Sequence, residues 1–290
     1  MTKLPNLICP GAQKAGTSTL YMILRQHPEI SRGTTKEVQF FDKKYNKGLD
    51  WYRQQFEGAS GRYVIDFTPG YMHKEIYVKR MHDVLGSDTK FIFMLRNPVD
   101  RMYSAYKMFL KLGLESREDA GEAFKKDYER FLLGKEDRYF SMSLYGRQMV
   151  PFMEFFKKDN MKFVLFEEFM KDLEKGTEDI LDFLGLEMPG NIDLNVWINK
   201  SHGLKNDGVS KFVRRTVGMA PNSIKKIMPR KAKEFFTRNV MKRTWDSAGS
   251  KAEKLDPSVG REFTGIFMED IEKMEKITGL DAEVWKVKYN

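Results

Sequence analysis

The sequence predicts a three-layer α/β fold, a central parallel sheet with helices on both faces and a largely helical C-terminal half. Two observations predict it. Short, wholly apolar runs alternate with amphipathic stretches through the first half of the chain, as strands buried between crossover helices require. The first of these runs leads through a glycine-bounded loop straight into a helix start, the arrangement by which α/β sheets cradle anions.

The predicted strands are Leu7–Cys9, Tyr63–Asp66, Lys90–Leu95 and Met161–Phe166, each bounded by Gly, Pro, Asn or a charged turn. Between and after them the apolar spacing predicts helices over Thr17–Gln26, stopped by His27-Pro28, over Lys74–Leu85, and over Pro98–Leu112, where Pro98 suits a first turn. Further helices are expected over Glu115–Leu133, Ser143–Phe156 and Leu173–Leu184, the last closed by Gly185. With no repeat or low-complexity linker, residues 1–290 read as a single domain.

A net charge of +9 favours anionic ligands or surfaces. The excess is concentrated in Lys211 to Arg243, read either as a solvated helical face beside an anionic pocket or as a contact with an anionic membrane or polyanion. No nucleic-acid-reading motif accompanies it. One cysteine, Cys9, excludes an internal disulfide framework, and the four histidines lack metal-ligand spacing, so no metal is expected. Neither an N-terminal apolar signal core nor a run of about 18 apolar residues occurs. The expectation is therefore a soluble, cytoplasmic protein if the chain is complete, or a lumenal one if an anchor has been removed.

The loop Pro10-Gly11-Ala12-Gln13-Lys14-Ala15-Gly16-Thr17-Ser18-Thr19-Leu20 combines close backbone approach, a helix N-terminus, three hydroxyls and the charge of Lys14. Gly11 and Gly16 keep the spacing of GxxxxGK[ST], the loop of P-loop NTPases, but Thr17 replaces the lysine, which has moved inside the loop as Lys14. The strand ending at Leu95 runs into Arg96, where a metal-binding strand would place an aspartate. Arg96 is read as a fork for a phosphate monoester, with Ser104 one to two helical turns beyond Pro98 facing the same anion, or as a structural ion pair with Asp66 or Asp100.

GAQKAGTSTL resembles the 5′-phosphosulfate loop (KxGTTxL) of sulfotransferases that use 3′-phosphoadenosine 5′-phosphosulfate (PAPS), and LRNPVDRMYSAY resembles their 3′-phosphate motif (RxPxxRxxSxY). FVLFEEFMKDLEKGTEDILDFLGL and the stretch from LDP to Trp285 are similar to two packing segments of that family. The resemblance implies PAPS as donor, held by Lys14, Ala15, Gly16, Thr17, Ser18, Thr19, Arg96 and Ser104; apart from it, Lys205, in a loop from Asn199 that could close over the nucleotide, is read as a candidate phosphate contact. Lys36-Glu37-Val38-Gln39-Phe40-Phe41-Asp42 resembles KEVHFFD of the heparan-sulfate and glycosaminoglycan-type branch, to which related bacterial-type sequences belong.

That likeness implies Glu37 as general base and Lys14 as the charge on the leaving oxygen, with Lys36, Gln39, Asp42 and Tyr145 on the acceptor side. The bland readings stand beside it: Glu37 as a surface acid paired with Lys36 or Lys43, Tyr145 as a core residue, and His73 or His82 as the base instead. DFTPGY resembles the family's substrate-side DKSPxY turn, with Phe67 in place of the lysine. The implied function is transfer of a sulfuryl group from PAPS to a hydroxyl or amine of a glycan or other polar acceptor, giving PAP. The alternatives are a nucleotide kinase or NTPase using Tyr63–Asp66 as its metal-binding strand, and a non-catalytic polyanion-binding module.

Overall fold

The structure is a computed structural model and describes residues 4–115, 119–195 and 254–289. Two compact units make up the chain, one of Met1–Ala105, Asp119–Ile198 and Asp256–Asn290, the other of Tyr106–Glu118 and Asn199–Leu255. In the second unit the described residues are chiefly a helical stretch ending at Lys111 and a turn in which Gly113 takes a φ of 68°. The first unit contains the sheet.

Its strands are β1 (Leu7–Gly11), β2 (Ile30–Arg32), β3 (Tyr63–Asp66), β4 (Lys90–Leu95) and β5 (Met161–Leu165), in the order β2-β3-β1-β4-β5. Every pairing is parallel. Leu7 of β1 lies opposite Ile65 of β3 and Lys90 of β4, so the C-terminal ends of these three strands share one edge. All residues of β1 and β3, and all but the first of β4, are buried, which demands cover on both faces. This is the predicted three-layer arrangement, and β3 and β4 have the predicted bounds.

The helices are α1 (Thr17–Leu24), α2 (Leu49–Gln54), α3 (Glu75–Leu85), α4 (Pro98–Lys111), α5 (Ala120–Leu132), α6 (Tyr145–Phe155), α7 (Phe166–Lys171), α8 (Leu173–Leu184), α9 (Pro257–Thr278) and α10 (Glu283–Lys286). As predicted, Gly185 closes α8, and Pro98 opens α4. Two of the expected helices start later: α5 begins at Ala120 rather than Glu115, because Asp119 caps it by accepting from the amides of Gly121 and Glu122. Helix α6 begins at Tyr145, and its first amides, Gly146 and Arg147, donate at 2.8 Å to Asp270 of α9. A partner helix thus supplies the cap that its own sequence lacks.

Behind the sheet, Phe91 and Phe93 of β4 meet Phe152 of α6 edge-on at 5.4 and 4.9 Å. Beside them Phe140 stacks on Phe267 of α9 at 4.7 Å. The two family-like packing segments meet at Glu167. Its carboxylate accepts from the Asn97 amide and from Trp285 Nε1, both at 2.9 Å, and Asn97 Nδ2 donates to Trp285 O at 3.3 Å. Asn97 Oδ1 in turn accepts from the amides of Val99 and Asp100, capping α4. One acid therefore ties the end of β4 to the C-terminal helix.

Replacing Glu167 by Ala strands a donor on Asn97, 1% exposed, and another on Trp285, 0% exposed. We expect a loss of about 2–6 kcal/mol of unfolding free energy, from about 1–3 kcal/mol per buried donor left without a partner. Urea unfolding measures it; a loss under about 0.5 kcal/mol would mean that the contact is dispensable.

Candidate functional site

The loop after β1 is pinned to β4, since the Ala12 amide donates to Met94 O at 2.6 Å. The Ala15 amide turns back to Ala12 O at 3.2 Å, and Lys14 takes the left-handed conformation at φ 73°. Gly16 opens α1 at φ 83°, and a Cβ there would lie 2.7 Å from the Phe166 ring, so both backbone and packing require glycine. Helix α1 has no acid in its first turn; the Thr19 and Leu20 amides turn back to Gly16 O, and the amides of Thr17 and Ser18 lead the helix. The positive end of α1 is therefore available to an anion.

Arg96, the residue after β4, donates through Nη1 to Lys14 O at 3.1 Å, and its guanidinium lies over the Phe166 ring, 4.7 Å from the centroid. Its Nε is buried with no hydrogen-bond partner among the described residues. The two carboxylates weighed as structural partners for it are engaged elsewhere: Asp100 accepts from Tyr289 and Lys288, and Asp66 from three hydroxyls. Tyr145 is 1% exposed and lies in the core, donating to Arg96 O at 2.9 Å with its ring against Trp285. It supports the end of β4. Ser104 is half-buried in α4.

Lys36 connects this loop to Glu37. Its Nζ donates to Thr17 Oγ1 at 3.2 Å, to Ser18 Oγ at 2.9 Å and to Glu37 Oε1 at 3.4 Å. The pairing expected of an ordinary surface glutamate is present, but through an ammonium that also serves the loop hydroxyls. The Glu37 side chain is 41% exposed.

The segment that carries it is held from behind. Asp66, fully buried at the end of β3, accepts from Tyr52 OH at 2.9 Å, Thr68 Oγ1 at 2.7 Å and Tyr71 OH at 3.0 Å. The Thr68 and Tyr71 hydroxyls accept from the amides of Gln39 and Phe40 at 3.3 and 2.8 Å. Gln39 is itself left-handed at φ 58°. Beyond it Lys44 Nζ donates to Val38 O and Arg80 Nη1 to Phe41 O. Asp42, half-buried near Gly70, has its carboxyl pushed up by burial.

The structure thus gathers Lys14, Thr17, Ser18, Lys36, Glu37 and Arg96 around the ends of β1, β3 and β4. Sequence reasoning missed the hydroxyls of Tyr52, Thr68 and Tyr71; the available signal was an acid closing an otherwise apolar run at Asp66. Lys205, His202 and the basic segment from Lys211 to Arg243 lie outside the described residues.

The remaining histidines have surroundings of their own. His27, 4% exposed, accepts from the Glu29 amide through Nδ1 and meets Glu187 O through Nε2, a fully structural role. His82 packs against Phe155 and Phe156 beside Asp83. His73 has its pKa lowered, first by burial, and a buried Nδ1 without a hydrogen-bond partner among the described residues. Burial pushes the Cys9 thiol up to about 12, so it is inert as a nucleophile. Among the described residues no group of three His, Cys, Asp or Glu side chains could hold a metal, and no helix is long and apolar enough to cross a membrane.

The family described as the sulfotransferase domain matches residues 4–277, and the chain belongs to that family. It is 29% identical to the mouse heparan sulfate glucosamine 3-O-sulfotransferase 3B1 over 244 residues, 81% of this chain and 61% of that protein. The chain thus spans about three-fifths of that relative's length. Among solved structures, a sulfotransferase from Alicyclobacillus acidocaldarius superposes with a TM-score of 0.68 at 24% identity, covering 98% of this chain and 99% of that one. Mouse sulfotransferase SULT7A1, solved in complex with PAP, gives a TM-score of 0.50 at 18% identity over 96% and 88%. These two establish the likeness of fold.

Asp66 gives the site a pH signature. Burial is the largest influence on it, outweighing the three hydroxyls and raising its pKa from 3.8 to about 6. A folded-state pKa above the unfolded value means that stability is full below about 4 and is lost as pH rises through 6, the unfolded chain ionising first. The interval corresponds to about 3 kcal/mol. We expect the stability of the wild type relative to Asp66→Asn to fall by about that much between pH 4 and pH 7 in denaturant titrations. A pH-independent difference would show that Asp66 titrates normally.

Proposed function

We propose that the chain transfers the sulfuryl group of PAPS to a hydroxyl or amine of a glycan or other polar acceptor, with Glu37 as general base. The observation that carries this reading is the Lys36 ammonium, which joins Glu37 to the hydroxyls of Thr17 and Ser18. A base and an anion-binding helix start are thereby held together. Family membership supports the reaction class, and the heparan sulfate enzyme named above supports a glycan as the acceptor.

The residues fit the donor. An unpaired buried Arg96 Nε, a helix start with no acid in its first turn and the Lys36 ammonium all favour a phosphorylated anion. Lys14 and Gly16 to Thr19 would hold the 5′-phosphosulfate, and Arg96 with Ser104 the 3′-phosphate. When bound, PAPS supplies a sulfuryl group on a phosphate leaving group. Glu37 takes the proton of the acceptor's hydroxyl or amine at a carboxylate oxygen. Lys14 and Lys36 hold positive charge beside the oxygens where negative charge grows.

The kinase alternative loses its acid, because both oxygens of Asp66 accept from buried hydroxyls.

With labelled PAPS and a panel of glycan and small hydroxyl or amine acceptors, Glu37→Gln should lower turnover about 100- to 10,000-fold while PAP binding persists. Arg96→Ala should weaken PAP binding about 10- to 100-fold, the equivalent of about 1.5–3 kcal/mol for charged hydrogen bonds. Full turnover in Glu37→Gln removes Glu37 as the base. Failure of the wild type to bind PAP sinks the reading as a whole.

A further inference from the structure

We propose that Asp66 is a positioning residue for the reaction, clamping the Glu37 segment in its working conformation through the hydroxyls of Thr68 and Tyr71. The inference rests on the assignment of Glu37 as the base and adds how that base is held.

The direction of each hydrogen bond is fixed. A carboxylate only accepts, so the protons of Tyr52, Thr68 and Tyr71 point at Asp66. With its proton committed, the Tyr71 oxygen has lone pairs for the Phe40 amide at 2.8 Å, and Thr68 Oγ1 for the Gln39 amide at 3.3 Å. A third tie, the Phe67 amide to Lys36 O at 3.3 Å, comes from the residue next to Asp66. Residues 66–71 therefore grip the chain on both sides of Glu37: at Lys36, and at Gln39 and Phe40.

The grip has work to do. Gln39 is held at φ 58°, a conformation that a non-glycine residue adopts only when its surroundings impose it. This left-handed residue lies two positions after Glu37, and the amides gripped by the hydroxyls are those of Gln39 itself and its successor. Ordinary packing does not account for the acid. Its ionised form is disfavoured by complete burial and further by the Asp42 carboxylate. Helix α2 contributes Tyr52 and the turn at residues 71–73 contributes Tyr71, so the acid also ties two separate elements to one point.

An asparagine in its place cannot reproduce the pattern. Three hydroxyl donors converge on the two oxygens of Asp66, and an amide group would turn one of those oxygens into a donor. Tyr71→Phe removes the middle link alone; the ring can remain against Phe41, 5.2 Å away.

The test is amide hydrogen exchange on the full chain, combined with PAP binding and kcat for an acceptor. In Tyr71→Phe the Phe40 amide should exchange at least about 10-fold faster. In Thr68→Val the Gln39 amide should do so, and in Asp66→Asn both, with the β4 amides of Ile92 and Phe93 unchanged. kcat should fall about 100-fold, the scale of a misplaced catalytic group, with PAP affinity unchanged within about twofold, a split that general destabilisation would not give. Unchanged protection of Gln39 and Phe40 overturns the proposal, as does PAP affinity that falls in step with kcat. If Asp66→Asn does not fold, the other two variants decide, since both keep the carboxylate. Should the wild type transfer no sulfuryl group, the reading of Glu37 as base fails, while the exchange pattern still decides whether the clamp exists.

Discussion

The parallel pairing of β1 with β3 on one side and β4 on the other is the constraint on which the candidate site depends. Leu7 faces both Ile65 and Lys90, and the three strands run to the same edge, β3 ending at Asp66 opposite Ile8, β1 at Gly11 opposite Phe93 and β4 two residues further on at Leu95. Whatever follows those three residues must meet at one edge of the sheet, where α/β folds bind their ligands. After Ile8 the β1–β4 register shifts, and the Ala12 amide reaches Met94 O. The anion loop is thereby tied to the strand that delivers Arg96, whose Nη1 reaches Lys14 O. Neither motif is complete without the other, and the sheet register joins them.

Charge is sorted around that edge. Cations collect at Lys14, Lys36 and Arg96, while nearby acids are either engaged or withdrawn. Glu167 is bound to Asn97 and Trp285, Asp100 to Tyr289 and Lys288, and Asp66 is enclosed by hydroxyls. Glu37 keeps an exposed carboxylate at the site, in contact with the Lys36 ammonium. Arg101 is the second arginine of the stretch that begins at Arg96. It is fully buried and donates to Ser143 Oγ and Tyr139 O, and burial lowers its pKa.

How much of this was legible in the sequence follows from where the determining contacts lie. Strands β3 and β4 were readable to the residue because burial on both faces makes them unbroken apolar runs between polar stops. Strand β2 was not, since it is a three-residue edge with a single buried side chain, Ile30. The region from Phe40 to Phe56 was missed for a different reason. Phe40 stacks on Tyr52 at 4.3 Å, and Tyr52 meets Phe56 edge-on at 5.1 Å, so its turns and α2 are set by aromatic packing between segments rather than by a local period. At the site, the loop and Arg96 were legible because each is spelled in consecutive residues. The hydroxyls around Asp66 come from α2, the strand end and the following turn, and only folding brings them together.

This division has a chemical logic. The anion side is built from backbone amides, a helix start and an arginine wedged against Phe166, groups with little freedom once the sheet has formed. Glu37, the proposed base, is carried instead on an irregular segment, with its side chain 41% exposed. An irregular segment in water would sample many conformations, and the loss of alignment would cost rate. Holding it from the buried side, through amides two and three residues beyond Glu37, restricts the backbone without covering the carboxylate.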